Sequence, residues 1–113
     1  MKPKTSIIQM DENEQIEQQQ IVDALTGVKT FIPGMIAYWR YYSDDPYERV
    51  ATFAILKRTA KFVTFQAVYG GTYEDGTPRV GEPFRLKVSR FRDVETCYRS
   101  GMSLSADDVG REE

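Results

Sequence analysis

A chain of 113 residues suits one domain with one modest core, and 41% hydrophobic, 28% charged and a net charge of −2 are ordinary globular values. Histidine is absent and cysteine occurs once, at Cys97, which excludes Ser–His and Cys–His nucleophile pairs, a disulfide framework and a cysteine zinc site. No apolar run approaches the roughly 18 residues of a membrane helix, and the N-terminus lacks the apolar middle of a signal peptide. A cytoplasmic protein with no cofactor, no metal and no membrane partner is therefore expected, its single thiol fitting a reducing compartment.

Residues 1–10, with TSIIQM at Thr5–Met10, read as an arm or a short strand. A helix is predicted over residues 11–27. Asp11 with Glu14 three positions on has the form of a capping box, and Gly27 suits a C-terminal cap. Ile21, Val22 and Leu25 share one helical face and Ile16 points away from it, so docking through the C-terminal half is expected. The remaining polar face reads as solvated, or as a partner-binding arm.

Residues 28–104 read as the β domain. The high aromatic content, 12% with seven Tyr and six Phe, favours half-buried pleated surfaces. MIAYWRYYS, Met35–Ser43, carries aromatics on both faces, so its pattern leaves the buried face open. At a sheet edge it would favour a homodimer. SDDP reads as a turn. ERVATFAILKR, Glu48–Arg58, is nearly continuous apolar and suits a central strand. KFVTFQAVY alternates Val63, Phe65 and Ala67 with Thr64 and Gln66, a half-buried strand. Asp75-Gly76 signals a hairpin. FRLKVSRFR, Phe84–Arg92, alternates as one strand with Phe84, Leu86 and Val88 inward. Residues 105–113 read as a disordered acidic tail. The whole predicts a mainly β (α+β) fold: a small antiparallel SH3-like or OB-like barrel, or a curved sheet, with one N-terminal helix.

Charge is segregated. Residues 57–91 hold seven cations and three acids, and both ends of the chain are acidic. A basic strand face interleaved with aromatics can hold single-stranded nucleic acid, cations tracking phosphates while rings stack on bases. Tyr38, Arg40, Tyr42, Arg85, Lys87, Arg90 and Phe91 are the candidate binding residues on this argument. Any half-buried strand also needs a polar outer face, and dedicated nucleic-acid domains are much more basic overall. Asp44, Asp45 and Glu48 have no cation-loop spacing and read as a solvated turn. Gly70-Gly71 lacks the residues of a phosphate loop, and Cys97 reads as a small core residue.

The stretch PGMIAYWRYYSDDPYERVATFAILKRTAKFVTF resembles a group of short β-rich proteins from phages and other mobile elements. That group has a Gly-Met opening, an aromatic strand ending in Ser-Asp, and a following KRTAKFVT. FRLKVSRFR and YRSGMSLSA are similar to its closing basic strand and tail, so the likeness runs from Pro33 to Ala106. The resemblance implies an origin in a mobile element and action by binding, including inhibition of host defence, and transfers no catalytic residue. The expected function is a non-enzymatic binding protein acting on a host or phage protein. The alternatives are a small nucleic-acid-binding barrel and a nucleotide-binding protein with Arg and Tyr at a subunit interface.

Overall fold

The computed structural model describes residues 11–41 and 49–111. The arm at 1–10, Tyr42 and the acidic turn with Asp44, Asp45 and Glu48 lie outside those residues. Among the described residues one helix, α1 (Glu12–Thr26), precedes nine antiparallel strands. Its ends follow the sequence signals. Asp11 is the N-cap, its carboxylate accepting the Glu14 N–H at 2.8 Å, and Gly27 closes the C-terminus in the left-handed region at φ 75°.

The docking face of α1 is the reverse of the expected one. Ile16 is 2% exposed and belongs to the core, whereas Ile21 and Leu25 are 59% and 82% exposed. Polar ties, not an apolar stripe, set the rotation of the helix. The Asp23 carboxylate accepts the Thr30 N–H at 3.0 Å, the Thr30 hydroxyl at 2.9 Å and the Gln19 amide at 2.9 Å. Ile16, Gln19 and Asp23 share one face at spacings of three and four, so tethering Asp23 turns Ile21, Val22 and Leu25 outward.

The larger sheet runs β4 (Pro78–Val80), β3 (Phe62–Thr72), β2 (Arg49–Arg58), β1 (Met35–Tyr41), β9 (Val109–Arg111), with β5 (Phe84–Lys87) also paired to β3. The smaller runs β6 (Ser89–Phe91), β7 (Val94–Arg99), β8 (Met102–Ser105). The fold is thus mainly β with one helix, and among the described residues both sheets are open, without the hydrogen-bonded closure of a barrel. β2 is central, as its apolar run predicts. β1 lies between β2 and β9, which removes the edge position that would favour homodimerisation through it. Asp75-Gly76 does turn β3 into β4, the Asp75 carboxylate accepting the Thr77 N–H at 3.0 Å and its hydroxyl at 2.7 Å. Both bonds hold the Asp75 carboxyl below its ordinary pKa.

Two further expectations are corrected. Phe84–Arg92 is not one strand: it breaks at Val88, whose N–H donates to the Lys61 carbonyl at 2.8 Å, and the chain then passes from the larger sheet to the smaller. The segment 105–113 is not a disordered tail through residue 111, because β9 pairs with Met35, Ile36 and Ala37 of β1. Gly110 makes this close approach feasible, since a Cβ there would lie 2.7 Å from the Tyr38 hydroxyl.

Alternate residues of β1, β2 and β3 meet β7 and β8 in the space between the sheets. Phe31 and Phe65 meet edge to face at 5.4 Å, and Ile55, Val63, Cys97 and Leu104 are each at most 1% exposed. Burying each large side chain contributes about 1.5–3 kcal/mol before the entropy of ordering it. The two sheets are also pinned by one buried carboxylate. Glu95 of β7 accepts the Phe31 N–H at 3.0 Å and forms a two-pronged ion pair with Arg58 of β2. Its own backbone bonds Lys29 and Ala106.

Candidate binding surfaces

The sequence-predicted residues do not converge. Arg85 and Lys87 lie on β5, Tyr38 and Arg40 on β1, and Arg90 and Phe91 on β6 of the other sheet. Tyr42 is outside the described residues. Register places Tyr38, Arg40, Arg85 and Lys87 on the outer face of the larger sheet, opposite the face that carries Ala37, Phe53, Phe65 and Phe84. Three strand spacings and four residues of rise separate Arg85 from Tyr38, about 20 Å.

At the β9 end, the cation is answered. Arg40 donates to both carboxylate oxygens of Asp108, at 3.0 and 3.2 Å, and its guanidinium lies 5.5 Å from the Tyr38 ring centroid. Tyr38 is half-buried over Gly110, so its ring serves packing. On β6, Phe91 is 63% exposed with the Arg92 guanidinium 5.5 Å from its centroid.

At the β5 end, register adds two residues that the sequence reading missed. A bulge between Ile55 and Lys57 puts Lys57 opposite Thr64, and Thr64 is opposite Arg85, so Lys57 and Arg85 flank β3 on one face. Phe62 lies opposite Lys87 and beneath Arg85, whose guanidinium is 4.3 Å from the ring centroid. Neither Lys57, Arg85 nor Lys87 pairs with a carboxylate among the described residues. The bulge hid Lys57, because a strict period of two assigns Ile55 and Lys57 to the same face.

The inner face of the larger sheet supplies a different feature. Where the smaller sheet stops covering it, a groove of about 750 Å³ opens, floored by Ala51, Phe53 and Ala67 and walled by Tyr69, Phe84 and Arg99. Its floor lies close to the backbone because Ala51 and Ala67 are small. Phe84 meets Phe53 edge to face at 5.8 Å, and the Arg99 guanidinium sits 4.0 Å from the Phe84 centroid. Tyr69 is 64% exposed at the rim. No spacing in the sequence links Arg99 to Phe84; packing of β7 against β5 does.

The one thiol is not available for chemistry. Cys97 is fully buried, and burial first and the neighbouring Glu95 charge second push its pKa up to about 11, against an opposing pull from Arg58. Among the described residues no cluster of three acidic, thiol or imidazole groups is placed to hold a metal, and no helix is long and apolar enough to cross a membrane. No known family model, characterised protein or solved structure matches this chain.

Proposed function

We propose that this is a non-enzymatic binding protein of phage or other mobile-element origin that acts in the cytoplasm of a bacterial host by docking on a host protein. On this reading the curved sheets are used as SH3-like and OB-like modules are, as a fixed platform for recognition. The observation that carries it is the inner-face groove, which combines a small-residue floor with Phe, Tyr and Arg walls. Aromatic and arginine side chains around a depression are what protein interfaces concentrate at their most energetic points. Arg99 is held over the Phe84 ring, so it gives up less rotamer freedom when a partner covers it. The exposed Ile21, Val22 and Leu25 of α1 add a second apolar surface.

Affinity capture from host lysate tests this reading. The wild-type protein is expected to retain one host protein in stoichiometric amount. Arg99→Ala and Tyr69→Ala, both at exposed side chains, should lose it while the circular dichroism spectrum stays unchanged. Recovery of no stoichiometric protein by folded wild type would overturn the reading.

A further inference from the structure

The outer edge of β5 carries a recognition device that the groove does not account for. Register fixes which backbone groups face which way. Val88 donates to the Lys61 carbonyl and Gly81 to the Ala67 carbonyl, at 2.8 and 2.9 Å, so the odd-numbered residues of β3 bond toward β5 and β4. Leu86 opposite Val63 and Phe84 opposite Phe65 are then the residues of β5 that bond to β3. The N–H and C=O groups of Arg85 and Lys87 point the other way. β4 joins β3 further along, at Val68 and Thr72, and does not reach them. Among the described residues nothing bonds these four groups, and both residues are exposed.

An open edge of extended backbone is a template for another strand. The surrounding side chains restrict what can add. Arg85 and Lys87 project on the outer face, with Lys57 across β3, and residues 56–67 and 84–88 contain no acid at all. A second copy of β5 is repelled, because antiparallel pairing would set Arg85 and Lys87 against one another. Single-stranded nucleic acid lacks its stacking platform, because Arg85 already covers the Phe62 ring. The net charge of −2 also opposes wrapping by a long polyanion, whereas a short acidic segment meets only the cationic corner.

We propose that the outer edge of β5 accepts an extended acidic segment of the partner protein as an added strand. This rests on the reading of the molecule as a binder of a protein. The incoming backbone completes the hydrogen bonds of Arg85 and Lys87, and carboxylates at alternate positions face the Arg85 and Lys87 side chains, while Lys57, two strands further in, adds only to the positive field of the corner. Backbone pairing supplies register, and Arg85 and Lys87 supply selectivity.

The probe is the synthetic peptide acetyl-TEVEVET-amide, titrated into the full-length protein and followed by backbone amide NMR. The expected result is saturable binding with shifts centred on Arg85, Leu86 and Lys87. Affinity should fall at least tenfold for the double variant Arg85→Glu/Lys87→Glu, and again at least tenfold for a peptide N-methylated at alternate amides. Equal binding by the N-methylated peptide would show charge attraction without strand addition and overturn the proposal. Absence of binding at millimolar peptide, or stronger shifts from a fifteen-nucleotide oligothymidylate, would also overturn it. The wider reading fails separately. If the double variant still captures the same host protein as wild type, this edge is not the docking site while the binding function stands. If the peptide adds to β5 but wild type captures no host protein, the edge stands and the wider reading falls.

Discussion

Two regions of this molecule use the same chemistry, a guanidinium near a carboxylate or a ring, for opposite ends. In the seam between the sheets, the buried Glu95 pairs with the part-buried Arg58, with side-chain exposures of 10% and 21%, and Glu95 also holds the Phe31 amide. On the outer face of the larger sheet, Arg40 and Asp108 are 47% and 36% exposed, and Arg85 faces only a phenyl ring. Water decides the difference. A buried carboxylate must be fully partnered or it destabilises the fold, whereas an exposed cation is already solvated and is free to exchange water for a ligand. The seam therefore specifies structure, and the outer face is where recognition can be built at little cost in stability.

That comparison breaks most visibly at the seam. Glu95→Ala should cost about 3–5 kcal/mol in chemical denaturation, because it leaves the part-buried Arg58 without its partner and the buried Phe31 N–H without its acceptor. A loss below about 1 kcal/mol would place Glu95 with the surface pairs. The next effect is on binding alone. Arg85→Glu/Lys87→Glu should weaken capture of an acidic partner at least tenfold, about 1.4 kcal/mol, while folding stability falls by no more than the lost Arg85–Phe62 contact, about 0.5–1 kcal/mol.

The seam also has a pH signature. The folded-state pKa of Cys97 is raised, so its contribution is complete below the unfolded value of about 8.5 and is lost as pH rises toward about 11. Wild type should lose stability relative to Cys97→Ala across that window, measured by urea denaturation at stepped pH. A constant difference between the two would refute the assignment. The smallest effect belongs to Asp108→Asn, at most about 1 kcal/mol and further reduced by salt, since both partners are well exposed.

Local chemistry made part of this fold legible in the sequence. Asp11 and Gly27 bound α1 because capping is a contact between near neighbours, and Asp75-Gly76 marks its hairpin for the same reason. The alternation of Val63, Phe65 and Ala67 reports a half-buried strand directly. What stayed hidden was set by distant partners. Period-two alternation runs unbroken through Val88, although the chain changes sheets there, because alternation does not record that the pairing partner switches from β3 to β7. Residues 109–111 lack a strong strand pattern and are ordered by pairing with β1. The stripe of Ile21, Val22 and Leu25 misleads because a single carboxylate, Asp23, sets the helix rotation through Thr30. Of the candidate site, Arg85 and Lys87 could be read from the chain. Lys57 and Phe62 join Arg85 on the outer face only through a bulge and strand register, and Arg99 and Tyr69 meet at the inner groove only through the packing of two sheets.

Hydrogen exchange at three consecutive amides reports whether the outer edge of β5 is open. In the free protein Leu86 should be protected, because it bonds to β3, while Arg85 and Lys87 should exchange at nearly unfolded rates. Adding acetyl-TEVEVET-amide should protect Arg85 and Lys87 and leave Leu86 unchanged. Protection of all three in the free protein, or no gain at Arg85 and Lys87 with peptide at saturation, would contradict the account of β5 as an open docking edge.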